Sequence, residues 1–164
     1  MTEIADAITA YVLLADYAAA DQAGKLNVIG GGVTVINFDL QRGATAPFSL
    51  MLMLRVPWPA PDSEAAVEIV LLDAGDQPVQ MPGPSDQSQP MRIAQNVQFT
   101  EPLVQGVRIP RGAIEAAASV VLNFGAGMPI PMGHSYSWQV SIDGEEKARV
   151  RFFVPGPPPG PVLG

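Results

Sequence analysis

Tyr136-Ser137-Trp138-Gln139-Val140-Ser141-Ile142, then Asp143-Gly144, then Ala148-Arg149-Val150-Arg151-Phe152-Phe153-Val154 is the stretch that decides the fold. In the first run Tyr136, Trp138, Val140 and Ile142 alternate with Ser137, Gln139 and Ser141. In the second, Ala148, Val150, Phe152 and Val154 alternate with Arg149, Arg151 and Phe153. Successive side chains of a strand point to opposite faces, so each run predicts a strand with one apolar face. Asp-Gly between two such runs signals a hairpin, because the tight primed turns need positive φ at their central residues. The apolar face must be covered, and in a chain of strands the cover is a second sheet.

The same period of two runs outward through the chain. Ala10–Tyr17 sets Tyr11, Leu13, Ala15 and Tyr17 against Val12, Leu14 and Asp16, and Phe48–Val56 sets Phe48, Leu50, Leu52, Leu54 and Val56 against Ser49, Met51, Met53 and Arg55. Leu26–Ile29 and Val33–Phe38 flank Gly30-Gly31-Gly32, and Val67–Leu72, Met91–Phe99 and Ser119–Phe124 complete eight to nine predicted strands. The fold class is all-β: a single antiparallel β-sandwich of about 8 strands with an extended Pro-rich C-terminal tail. Residues 1–9 form an N-terminal arm, 10–154 the sandwich domain and 155–164 a Pro/Gly-rich tail. The expected core is Leu13, Ile36, Leu50, Leu52, Leu54, Ile69, Leu71, Val97, Val120, Leu122, Trp138, Val140, Val150 and Phe152. Asp16–Ala23 and Ala113–Ala118 are Ala-rich and predict short helical turns. Residues 57–61 and 81–90 are Pro-rich and predict surface loops.

Composition narrows the chemistry. Of 164 residues, 48% are apolar and 15% charged, which is incompatible with general disorder. There are no cysteines, so thiol catalysis, Cys-based zinc sites and disulfides are excluded. A net charge of −7 turns a phosphate backbone away, and no nucleic-acid partner is expected. Phe48–Leu54, the longest strongly apolar run, is far short of the roughly 20 residues of a membrane helix, and no membrane partner is expected. The acidic N-terminus lacks a positive leader region, which predicts a protein folded in a cytosol.

Few residues carry chemistry. His134 is the single imidazole, and a Ser-His-Asp triad would have to use it, yet no G-x-S-x-G elbow accompanies it; the simple reading is a loop histidine. Gly30-Gly31-Gly32 leads into Val33-Thr34-Val35-Ile36 and not into a helix, so it reads as a bulge or tight turn and not as a phosphate cradle. The carboxylates show no Asp-x-Asp or EF-hand spacing. No catalytic residue, metal or cofactor is expected, and the protein reads as a non-enzyme.

Expected partner contacts fall in four places, one of them the 81–90 loop. Lys147, Arg149 and Arg151 share one face of a strand, either as a solvated outer face or as a basic stripe that meets an acidic protein. Trp58 lies between Pro57 and Pro59; prolines supply no ladder donors, so Trp58 either caps the end of the sandwich or projects as an interface anchor. Pro155, Pro157, Pro158, Pro159 and Pro161 make two P-x-x-P frames in a segment preset toward polyproline II.

Tyr11-Val12-Leu13-Leu14-Ala15-Asp16-Tyr17 with Gly24-Lys25-Leu26-Asn27-Val28-Ile29-Gly30-Gly31-Gly32 resembles the opening of a family of small uncharacterised actinobacterial and actinobacteriophage β-sandwich proteins. Pro131-Met132-Gly133-His134 and the strand and turn through Gly144 resemble that family's closing hairpin. The resemblance covers most of residues 10–154. It implies a fold and no catalytic residues. With it, the expected role is a non-catalytic structural or interaction protein, a capsid-decoration or minor structural component of a bacteriophage virion made in the host cytoplasm. Its partners would be copies of itself or other virion proteins. The alternative is a cytosolic bacterial binding module that recognises a protein or small ligand through its Pro-rich loops.

Overall fold

The computed structural model describes residues 3–22, 25–58, 64–83, 87–100, 105–110, 112–157 and 160. In chain order the elements are α1 (Glu3–Ala7), β1 (Thr9–Ala20), β2 (Leu26–Gly31), β3 (Phe38–Asp39), β4 (Ala44–Thr45), β5 (Phe48–Pro57) and β6 (Glu64–Leu72). They continue with β7 (Gln80–Pro82), β8 (Ser88–Pro90), β9 (Arg92–Gln98), β10 (Glu115–Phe124), β11 (His134–Ile142) and β12 (Glu145–Val154). The chain is all-β with antiparallel sheets. One four-stranded sheet runs β10-β5-β1-β2 and the other β12-β11-β6-β9; β3-β4 and β7-β8 are short two-stranded ribbons.

The alternation predicts the burial well. Leu50, Leu52, Leu54 and Val56 of β5 turn inward, as do Ala65, Val67, Ile69 and Leu71 of β6 and Trp138, Val140 and Ile142 of β11; all belong to one buried cluster. Aromatic rings tie the two sheets together. Phe48 of β5 stacks on Phe124 of β10 with centroids 4.7 Å apart. Phe124 stacks in turn on Trp138 of the opposite sheet at 5.4 Å. Each fully buried Leu or Ile contributes about 1.5–3 kcal/mol by leaving water, so this shared interior dominates stability. The β11–β12 hairpin closes through Asp143 and Gly144, both at positive φ (48° and 85°), as a type I′ turn requires. Asp143 then docks on the neighbouring strand: its N–H donates to the Ala66 carbonyl at 2.9 Å and its Oδ1 accepts from the Ala66 N–H at 3.1 Å.

Several expectations are corrected. Leu13 is half-buried on the outer face, opposite Met51; the core residue of β1 is Leu14, fully buried and opposite Leu50. Both faces of β1 are apolar, so its pattern does not fix which one turns inward. Leu122 and Val150, expected in the core, are partly buried and pack against it. The Ala-rich segments are strand, because cross-strand pairing overrides the weak helical preference of a few alanines: Ala18, Ala19 and Ala20 pair with β2, and Ala116, Ala117 and Ala118 pair with β5. Residues 33–36 are not a sheet strand but a strap from one sheet to the other, where Val35 bridges Phe153 in parallel. The strap is held by Ile36 N–H to the Phe153 carbonyl at 3.0 Å and Phe153 N–H to the Thr34 carbonyl at 2.9 Å. The 81–90 segment is not all loop: it takes in most of the β7–β8 ribbon. At the N-terminal end, α1 and the residue after it bury Ile4, Ala5 and Ile8 in the common core.

Candidate functional site

A cleft of about 510 Å³ lies over the outer face of the β12-β11-β6-β9 sheet. Its overhang is the turn after β6. Asp73 shapes that turn: its Oδ1 accepts from the N–H groups of Gly75 (2.8 Å) and Gln77 (2.9 Å). Asp76 sits at φ 57°, a left-handed conformation unusual outside glycine. From there its carboxylate is paired with Arg149 of β12. Ser135 and Ser137 line the cleft beneath the turn, with Arg151 and Phe153 of β12 to one side.

The charges of this region are largely committed to structure. Arg149 also donates to both oxygens of Glu146, at 2.9 and 3.0 Å, and to Gln139 at 2.9 Å. The hydrogen bonds to Glu146 and then Asp76 raise its pKa above the ordinary arginine value, so it is permanently charged. Lys147 pairs with Glu145 at 3.0 Å. Arg151 alone of the three has no ion pair among the described residues. Among the described residues the predicted stripe is thus one cation without an ion pair and two neutralised ones. Tyr136 stands at the cleft wall and donates its hydroxyl to the Pro131 carbonyl at 2.6 Å. Burial, reinforced by the charge of Asp73, pushes its phenol pKa up. His134 opens β11, is exposed, and lines an adjoining cleft with Asp73 and Tyr136. No group of three or more His, Cys, Asp or Glu among the described residues is placed to hold a metal.

The other predicted contact residues lie elsewhere. Pro57 ends β5 and is exposed. Trp58 is half-buried and packs against the core; its N–H donates to the Ile114 carbonyl at 3.3 Å and its carbonyl accepts from Gly112 at 3.0 Å. Pro59 lies outside the described residues. Pro155 and Pro157 line a small pocket with Phe38, Leu40 and Met132, so the start of the tail rests on the body of the protein. Pro158, Pro159 and Pro161 lie outside the described residues.

One feature was not singled out from sequence. The two sheets present opposite kinds of outer face. On the β12-β11-β6-β9 sheet, Arg92 pairs with Glu68 and Asn96 donates to Glu64 at 2.5 Å, in addition to the arginine network on β12. On the β10-β5-β1-β2 sheet the outer rows are apolar: Val121, Met51 and Leu13 lie side by side, and Ser119, Met53 and Tyr11 form the next row. The charged residues of this face are Arg55 and Glu115, which pair with each other at 3.5 Å at one end. Beyond Ala15, opposite Ser49, β1 leaves β5 and pairs only with β2, making a two-stranded arm. Tyr17 and Ile29 face each other across that arm, 52% and 65% exposed, and Tyr11 is 50% exposed. The signal was present in the sequence as two apolar faces on one strand.

Residues 10–155 match the model of a family of unknown function (DUF6941), and the chain belongs to that family. No curated protein matches it. Among solved structures it is similar to an immunoglobulin-like protein from Pseudomonas aeruginosa, 13% identical over 90% of this chain and 95% of that one, with a TM-score of 0.44.

Proposed function

We propose that this member of the family is a non-catalytic interaction module, a single β-sandwich with a Pro-rich tail that assembles with other protein chains through the outer face of its β10-β5-β1-β2 sheet. The observation that carries this reading is the contrast between the two outer faces. A solvated antiparallel sheet carries polar residues outside, as the β12-β11-β6-β9 sheet does apart from Phe153. A contiguous apolar surface that is exposed at Tyr11 and half-exposed at Leu13, Met53 and Val121 marks a place where something else packs. Tyr and Met are suited to such contacts, being enriched at interfaces and adaptable in packing. The non-catalytic part of the reading rests on composition, with no cysteine and one histidine, and on the structural partners of Asp73 and Asp76 at the cleft. The specific setting is a virion component whose partners are copies of itself or capsid proteins, a reading supported by the resemblance of its opening and closing segments.

The test is the size of the native species. In extract from its natural source the chain should elute well above its 17.3 kDa. Tyr11→Glu with Leu13→Glu should move it to the monomer position while its far-UV circular dichroism remains that of strand. Elution of the unaltered chain as a monomer at its natural level overturns the reading. Purified particles that lack the chain overturn the virion setting.

A further inference from the structure

Among the described residues, Phe153 is the one large apolar side chain that the β12-β11-β6-β9 sheet exposes, and it lines the cleft of about 510 Å³. Polar side chains with hydrogen bonding to spare surround it. Register places Ser135 opposite Phe153 and Ser137 opposite Arg151, and Thr34 of the strap lines the same cleft. The hydroxyls of Thr34, Ser135 and Ser137 and the guanidinium of Arg151 have no hydrogen-bond or ion-pair partner among the described residues. Ser137 is only 4% exposed, and a hydroxyl so nearly removed from water usually has a partner. On the far side stands Asp73, which commits Oδ1 to the turn and leaves Oδ2 unbonded among the described residues. Ser137 pairs with Leu72 on its other side, so Arg151 lies two strand spacings, about 10 Å, from the residue before Asp73. Arg151 and Asp73 thus flank one cleft with opposite charges and make no ion pair with each other.

We propose that this cleft binds a neutral saccharide unit, its hydroxyls on Arg151, Ser137 and Asp73 and one C–H face of its ring against Phe153. The chemistry of the walls selects the class. An apolar ligand would cover these polar groups and leave them unbonded, which costs more than its own burial gains. An anion drawn to Arg151 would lie beside Asp73 in a protein of net −7. A metal cation drawn to Asp73 finds no group of three acidic or histidine side chains among the described residues. A neutral ligand rich in both donors and acceptors meets neither obstacle. Arg151 only donates, the spare oxygen of Asp73 only accepts, and the serine and threonine hydroxyls do both. Sugar hydroxyls likewise donate and accept, while the C–H groups on one side of the ring form an apolar patch that stacks on an aromatic side chain. A volume of about 510 Å³ falls within the roughly 300–1,000 Å³ of small-molecule sites, which join apolar lining to a few convergent polar groups. The site is on the sheet opposite the assembly face, so both can be occupied at once.

The test titrates the purified full chain with glucose, galactose, mannose, N-acetylglucosamine, maltose and cellobiose, followed by calorimetry and saturation-transfer NMR. At least one should bind with a millimolar or tighter dissociation constant and show transfer to its ring protons. Arg151→Ala and Phe153→Ala should each weaken that binding about tenfold. Arg151 is exposed and has no partner to lose, so its variant should keep the circular dichroism and thermal midpoint of the parent. Tyr11→Glu with Leu13→Glu should leave sugar binding unchanged, which separates this site from the assembly face. Failure of every sugar to bind at millimolar concentration overturns the inference, and so does binding that both cleft variants retain. Acetate and inorganic phosphate serve as anion probes and should not bind. Binding of either that Arg151→Ala abolishes makes the cleft an anion site and overturns the saccharide reading.

Discussion

Asp76, in the turn after β6, is paired with Arg149 on β12, two strands away in the same sheet. The pair spans β11 and fixes the overhang that makes the cleft. It holds a non-glycine residue at positive φ, so the turn carries local strain that the ion pair and the Asp73 hydrogen bonds offset.

Asp76→Asn separates charge from conformation. Asn tolerates the left-handed region nearly as well as Asp, so the variant loses the ion pair and little else. The Asp76 side chain is 68% exposed, so the expected loss is small, about 0.5 kcal/mol in urea denaturation, shrinking further in high salt. Asp76→Val should cost about 1–2 kcal/mol more, because a β-branched residue is strained at that φ.

The two neighbouring leucines of β1 should behave differently. Leu14→Ala opens a cavity in the shared core and should cost about 2–5 kcal/mol. Leu13→Ala, on the outer face, should cost about 1 kcal/mol or less in the isolated chain. Equal losses in chemical denaturation would contradict the placement of β1.

Gly127 and Gly144 both have positive φ, 73° and 85°, but only one is crowded. A Cβ at Gly127 would lie 1.8 Å from the Thr45 carbonyl oxygen, whereas Gly144 faces open space. Gly144→Ala should cost about 1–2 kcal/mol from backbone strain alone. Gly127→Ala should cost about 3 kcal/mol or more, because the backbone of β4 must move; thermal unfolding of the two variants compares them directly.

Tyr136 links stability to alkaline pH. Below about 10 the phenol is neutral in both the folded and unfolded chain, and it adds no pH dependence. Its folded pKa is raised, so above that value the unfolded chain ionises first and binds fewer protons. Stability should therefore fall as pH rises from about 10 through the raised folded value. Tyr136→Phe should flatten that slope and cost about 1 kcal/mol at neutral pH through the lost hydrogen bond to Pro131, both read from denaturation midpoints across pH.

Period two and one Asp-Gly turn were enough to predict an all-β antiparallel chain and the inward faces of β5, β6 and β11. The inward face of β1 was not legible, because Tyr11, Leu13 and Met51 make an outer face as apolar as the inner one. Nor was the cleft: Asp76 and Arg149 are 73 residues apart, and nothing local to either announces the other. The stripe of Lys147, Arg149 and Arg151 was visible as a pattern; Glu145 and Glu146, which pair with Lys147 and Arg149, lie in the same strand, and only Asp76 comes from a turn on another strand.

The strap at 34–36 has a consequence for how the protein is made. Its hydrogen-bond partner, Phe153, lies on β12, the last strand in chain order. On the ribosome the strap is synthesised early and finds no partner until almost everything else has emerged. β1, already long and apolar on both faces, likewise gains its contacts with β12 only then. Contacts between distant parts of a chain close slowly. Completion of this fold therefore waits for β12, and until that strand appears the growing chain carries a sticky strand without its cover from β12.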